Sequence, residues 1–128
     1  MSEKLSILLV EDNLLNQRIV TFSLKKYQHE VIIANNGLEG LNKYKSQKFD
    51  VVLMDIMMPV MDGLEATQKI REFEESANKE KTPIIAITAN TMDNDREKCI
   101  SYGMNDFIAK PFDMDKLLKI FEDLKIPV

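Results

Sequence analysis

Dense apolar runs alternate along this chain with longer stretches whose apolar residues recur at helical spacing. Leu5 to Val10, Val31 to Ala34, Val51 to Met54, Pro83 to Thr88 and Phe107 to Ala109 read as short strands. Helical segments fall between and after them: Leu14 to Lys26, Gly37 to Lys45, Gly63 to about Glu75, Asp93 to Tyr102 and Asp113 to Leu124. Punctuation agrees with these limits. Asn13 and Asp113 sit at N-cap positions, Asn35-Asn36-Gly37 is a turn signal, and Gly103 stops the fourth helix. The polar stretch Ser76 to Thr82 is expected to be the most flexible loop. The strands are apolar throughout, which is the mark of a sheet covered on both faces. A βα unit repeated five times therefore predicts a three-layer α/β domain with a parallel sheet and right-handed crossovers.

Size and charge narrow the function. The chain has 128 residues, one domain's worth, so residues 1–128 are read as a single unit. Seventeen Lys and Arg against 21 Asp and Glu leave a net charge of -4, which argues against direct nucleic-acid binding. Cys99 is the only cysteine, so no intrachain disulfide can form. No apolar run approaches membrane-span length, and the first residues lack a secretory apolar core. A reducing, cytoplasmic setting is the expectation. His29, the only histidine, reads as an ordinary surface residue, and Cys99 as a buried packing residue. Met54, Met57, Met58 and Met61 crowd around Asp55, where packing of the loop is a simpler role than cofactor binding.

Chemistry concentrates at the strand ends. Ligands of open parallel sheets bind at the carboxyl ends of strands. Strand one ends in Glu11-Asp12, strand three in Asp55, strand four in Thr88 and strand five in Lys110-Pro111. Any one of these has an ordinary reading as a cap, a turn or a solvated lysine; the joint pattern does not. Two carboxylates ~5 Å apart repel by roughly 3 kcal/mol at an effective dielectric of ~20, and a third worsens it. A hard divalent cation removes that penalty, and Mg²⁺ takes oxygen ligands while keeping several waters. The same cation neutralises a transferring phosphoryl group, Lys110 can neutralise another of its oxygens, and a carboxylate there is a competent nucleophile.

The motifs Leu8-Leu9-Val10-Glu11-Asp12-Asn13, Asp55-Ile56-Met57-Met58-Pro59-Val60-Met61-Asp62-Gly63, Ile87-Thr88-Ala89-Asn90 and Lys110-Pro111-Phe112 together resemble the response-regulator receiver family of the chemotaxis-regulator type, over essentially the whole chain. The resemblance implies a flavodoxin-like fold: a five-stranded parallel sheet in the order 2-1-3-4-5, flanked by five helices. It implies that Asp55 is the phosphoacceptor, Asp12 a direct ligand of Mg²⁺ (or Mn²⁺), Glu11 an acid holding the metal through water, and the Met57 backbone carbonyl a further ligand. Lys110 matches the phosphate-contacting lysine, with a cis bond before Pro111. Thr88 and Phe107 match the hydroxyl and the aromatic ring that switch position on phosphorylation.

The implied partner is a histidine kinase or histidine phosphotransfer protein whose phosphohistidine donates to Asp55, with no nucleic acid or membrane involved and a monomer as the unphosphorylated form. The domain would be no metabolic enzyme, although it catalyses its own phosphorylation and dephosphorylation. Glu-Asp in place of Asp-Asp, and Phe107 where Tyr is common, are mild departures. The Glu-Asp-Asn and Thr-Ala-Asn variants look most like receivers of hybrid sensor kinases.

Three rival functions fare worse. A phosphatase resembling the haloacid-dehalogenase family needs a second Asp two residues after the nucleophile, where Met57 stands. A flavodoxin-like cofactor binder would meet Glu11-Asp12 where it needs a phosphate cradle. A degenerate interaction module would not need all five site residues. Because Met57 cannot orient a water, loss of the phosphoryl group should be slow, with Asn90 as a partial offset. On the first helix, Val20, Leu24 and Tyr27 should face the sheet. Leu15, Ile19 and Phe22 form a second apolar stripe, covered either by a neighbouring helix (the fifth or the second) or by the docked phosphodonor.

Overall fold

The structure, a computed structural model, describes residues 4–88, 93–110 and 112–126, with side chains 93–96 left aside. Strands β1 (Ser6–Val10), β2 (Glu30–Ala34), β3 (Val51–Asp55), β4 (Ile84–Thr88) and β5 (Asp106–Ala109) alternate with helices α1 (Leu14–Lys26), α2 (Gly37–Ser46), α3 (Gly63–Ser76), α4 (Asp93–Ser101) and α5 (Met114–Asp123). The strands form one parallel sheet in the order β2-β1-β3-β4-β5. Each expected element is present, with ends displaced by a residue or so, as fraying termini allow.

Alternate residues of each strand feed two separate cores, because successive side chains point to opposite faces. Leu8, Val10, Val52, Met54, Ile84 and Ala86 pack with Leu41 and Tyr44 of α2 and with Ala66 and Ile70 of α3. Ile7, Leu9, Val51, Leu53, Ile85 and Ile87 pack with Val20 and Leu24 of α1 and with Leu117 and Phe121 of α5. Both faces are thus dry, which is why the strands carry no polar alternation. The helix starts follow local chemistry: Asn13, Asn36, Asp62 and Asp113 each accept a backbone N–H of the first turn. The φ of +108° at Gly103 lets the chain leave α4 in a conformation that costs other residues energy.

Two expectations are corrected. His29 is buried, only 4% exposed, and its Nδ1 accepts the Leu5 N–H at 3.1 Å. It lies in the turn that carries α1 into β2, where the start of β1 closes over it. Tyr27 leaves the inward face of α1: it caps the helix, remains half-exposed, and its ring stacks on His29 with centroids 6.5 Å apart. The helix ends at Lys26, and Gln28 turns the backbone with a φ of +66°, so residue 27 no longer follows the helical period.

Candidate functional site

Four of the five strands deliver functional side chains to the carboxyl edge of the sheet. Glu11 and Asp12 leave β1, Asp55 ends β3, Thr88 ends β4 and Lys110 follows β5. The register sets their heights, since Val10 pairs with Met54, Asp55 with Ile87, and Thr88 with Ala109. The Lys110 N–H donates to the Thr88 carbonyl at 2.7 Å, so β4 and β5 stay tied one residue beyond the strand. Carboxylate oxygens of Glu11, Asp12 and Asp55 lie within 4.8 Å of one another. The Lys110 Nζ stands 3.3 Å from Glu11 Oε1 and 3.4 Å from Asp55 Oδ2.

Among the described residues, one ammonium against three carboxylates leaves the cluster short of positive charge. Glu11 is almost fully buried, and its Oε1 accepts no hydrogen bond despite the nearby lysine. Burial first, and the hydrogen-bonding and charge of Asp55 next, push the Glu11 carboxyl above its ordinary range; the Asn13 N–H and Lys110 pull it back. A buried oxygen without a donor, in an all-oxygen set with excess negative charge, fits a hard divalent cation. Glu11, Asp12 and Asp55 are the side chains that would hold it.

The segment between β3 and α3 follows Asp55 directly and is held by its own backbone. The Gly63 N–H donates to the Ile56 carbonyl at 2.8 Å, the Met61 N–H to that of Pro59 at 2.8 Å, and the Gly37 N–H of α2 to that of Met61 at 2.9 Å. A Cβ on Gly63 would come 2.2 Å from the Asp55 carbonyl oxygen, so only glycine lets α3 start so close to the end of β3. Val60 takes a φ of +70° between Pro59 and Met61, an unusual and strained choice for a β-branched residue. Met57 points outward, 80% exposed. With Thr88 and Cys99 it lines a cleft of about 570 Å³ between this segment and α4. Thr88 is buried, and Phe107 is half-buried against the same core. Phe107 pairs with Ala86, two residues before Thr88, so ring and hydroxyl share one face of the sheet. Asn90 and Pro111, with its expected cis bond, lie outside the described residues.

The sequence matches the response regulator receiver domain over residues 7–122. The chain belongs to that family. It is a receiver domain of the two-component phosphorelay kind. Among curated proteins, the receiver is 39% identical over 139 residues to "Histidine kinase 5" of Arabidopsis thaliana, with 91% of its length covered. It is 44% identical over 126 residues to "Hybrid signal transduction histidine kinase B" of Dictyostelium discoideum, again over 91% of its length. It spans only 15% and 6% of those proteins.

Among solved structures, one match is a co-crystal of the Saccharomyces cerevisiae histidine phosphotransfer protein Ypd1 with the receiver domain of its response regulator Ssk1. That match has a TM-score of 0.90 and 31% identity, covering 100% of this chain and 95% of the other. Another is the receiver domain of sensor histidine kinase PA1611 from Pseudomonas aeruginosa, with a magnesium ion coordinated in its active-site cleft. Its TM-score is 0.83 and its identity 39%, over 94% and 97% of the two chains. Among the described residues, no helix is long and apolar enough to cross a membrane.

Gln17 is a site residue that sequence reasoning missed. Its buried Nε2 donates to the Glu11 carbonyl at 2.6 Å and to Asn35 Oδ1 at 2.9 Å, tying α1 to the acidic corner and to the β2–α2 turn. The signal was present: positions 17, 20 and 24 share the inward face of α1, and an amide on a buried stripe implies a partner. On the other face, Leu15, Ile19 and Phe22 are 66%, 44% and 64% exposed, so neither neighbouring helix covers them.

Proposed function

We propose that this receiver, taken as one unit over residues 1–128, accepts a phosphoryl group on Asp55 from a phosphohistidine of a histidine kinase or histidine phosphotransfer protein, with Mg²⁺ (or Mn²⁺) present. The observation that carries the proposal is the convergence of Glu11, Asp12 and Asp55 within 4.8 Å beside the Lys110 ammonium. The receivers solved with a magnesium ion and beside a histidine phosphotransfer protein support the same chemistry and the same class of partner. An Asp55 Oδ attacks phosphorus, the P–N bond to the imidazole breaks, and a P–O bond forms to Asp55. Lys110 balances charge on the phosphoryl oxygens. A bound cation, held by Glu11, Asp12, Asp55 and the Met57 carbonyl, would supply further neutralisation there.

The Thr88 hydroxyl then moves toward the new group, and Phe107 turns into the space released, a two-state packing change biased by one charge cluster. The domain in this reading is no metabolic enzyme: it catalyses gain and loss of its own phosphoryl group, works in the cytoplasm, and is monomeric before phosphorylation without contacting nucleic acid or membrane.

Acetyl phosphate with Mg²⁺ should add about 80 Da, one PO₃ unit, and Asp55→Asn should abolish the addition. Stoichiometric labelling of that variant, or undiminished labelling in excess EDTA, would overturn the assignment. The exposed Leu15, Ile19 and Phe22 are the proposed docking surface, since helix-on-helix contacts draw their energy from a few apolar anchors. Ile19→Asp should therefore slow transfer from a phosphohistidine protein about tenfold or more, by loss of one anchor, while labelling by acetyl phosphate stays near wild type. Equal loss with both donors would remove the docking role.

A further inference from the structure

Met57 combines three features that phosphoacceptance alone does not require. It follows Asp55 by two residues, it is 80% exposed, and its side chain lines the cleft that Thr88 also lines. Its outward position is built in: the backbone bonds from Gly63 to Ile56, Met61 to Pro59 and Gly37 to Met61 hold the loop on both sides of it. The other described methionines are sheltered: Met54, Met61 and Met104 are buried, and Met58 and Met114 are partly covered. A leucine would supply similar apolar bulk at position 57; the thioether alone can be oxidised under mild conditions.

We propose that Met57 is an oxidation site through which a peroxide shortens the lifetime of the phosphoryl group on Asp55. The inference rests on the phosphoacceptor reading above and adds a regulatory input to the same site. The Met57 Sδ attacks one peroxide oxygen, the O–O bond breaks, and an S=O bond forms. Sulfur is oxidised by two electrons, and the peroxide is reduced to water or an alcohol, which keeps the proton. The product replaces an apolar surface with a strong hydrogen-bond acceptor on the cleft that Thr88 also lines.

An unoxidised thioether barely hydrogen-bonds water, so the Met57 side chain does not orient a water above the phosphoryl group. A sulfoxide oxygen accepts that hydrogen bond. It is far too weak a base to take the proton, so it acts by position only. The water oxygen bonds to phosphorus, the P–O bond to Asp55 breaks, and the proton leaves with the phosphate or to solvent. One added hydrogen bond to the attacking water corresponds to about a fivefold faster loss of label.

The test uses the full chain, with hydrogen peroxide as oxidant. Peptide mass mapping should place the first added oxygen, about 16 Da, on Met57 ahead of Met54, Met61 and Met104. Oxidised and unoxidised protein are then labelled with acetyl phosphate and Mg²⁺, freed of donor, and followed by intact mass. Loss should be about fivefold faster after oxidation. In Met57→Leu the oxidised and mock-treated samples should decay alike, whatever their common rate. First oxidation at another described methionine, an unchanged lifetime in oxidised wild type, or the same acceleration in Met57→Leu would each overturn the proposal. Label that forms normally but decays unchanged removes this proposal alone. No label on unoxidised protein removes the phosphoacceptor reading and this inference with it.

Discussion

Glu74, near the amino ends of the strands, and Glu11, at their carboxyl ends, are equally buried at 1% exposure, but they are solvated by the protein in opposite ways. Both oxygens of Glu74 accept hydrogen bonds. Arg71 Nη1 donates to its Oε1 at 2.8 Å, while the Tyr44 hydroxyl at 2.5 Å and the Thr82 N–H at 2.8 Å serve its Oε2. Arg71 continues outward to the carbonyls of Gly103 and Thr82 and to the Asn105 side chain, each at 2.9 Å. Burial, and then the bond to Glu74, push the Tyr44 hydroxyl up to about 12, so it remains a donor at any physiological pH. Glu11 has one backbone donor at 3.1 Å on Oε2, a lysine 3.3 Å from an otherwise unserved Oε1, and two further carboxylates beside it. A buried acid whose two oxygens both accept hydrogen bonds is a fastener of the fold. A buried acid short of donors and surrounded by like charge is half of a binding site, and its missing partner comes from solution.

Replacing each acid by its amide sharpens the contrast most. Glu74→Gln should cost roughly 3 kcal/mol in urea unfolding, because Arg71 and two further donors lose a buried anion. It should leave labelling of Asp55 intact. Glu11→Gln should cost far less without metal, and can even stabilise, because a like charge is removed. Equal costs at the two ends would erase the distinction.

Divalent metal gives the next largest effect. Mg²⁺ at ten times its dissociation constant should stabilise the wild type by about 1.4 kcal/mol, reversed by EDTA. Asp12→Asn should lose most of that gain and most of the phosphorylation rate while folding normally. A full metal response in Asp12→Asn would show that the cation binds elsewhere.

The smallest effect belongs to His29, a flaw in the otherwise well-satisfied amino end. Its Nδ1 accepts from Leu5, and its Nε2 is buried without a partner. Burial lowers its pKa from the ordinary 6.5, so the unfolded chain takes up a proton that the native chain resists. Stability is therefore complete above about 6.5 and falls as pH drops from there toward the lowered native value, by at most about 1.4 kcal/mol per pH unit. Subtracting the profile of His29→Gln isolates this contribution, and identical wild-type and variant slopes between about pH 6.5 and 5.5 would refute it.

Legibility from sequence followed the range of the interaction. Caps such as Asn13 and Asp113 act on an N–H two or three residues away, so composition alone reveals them. Tyr27 was misread because the helical period was carried one residue past the helix end. His29 was misread because the residues that bury it include Leu5, 24 positions earlier. The Glu74 network was invisible for the same reason: positions 44, 71, 74, 82, 103 and 105 each look like an ordinary surface or turn residue.

The sequence by itself determined the βα rhythm, the apolar strands and the placing of acids, hydroxyl and lysine at strand ends. Strand direction and a period of two residues convert such a pattern directly into a covered parallel sheet with a polar edge. Tertiary structure alone decided which of two equally buried glutamates is satisfied and that Leu15, Ile19 and Phe22 remain uncovered. It also decided that Met57 stands outside the loop rather than within it. Satisfaction, cover and exposure depend on atoms brought together from distant parts of the chain, and those meetings exist only once the sheet and its five helices have packed.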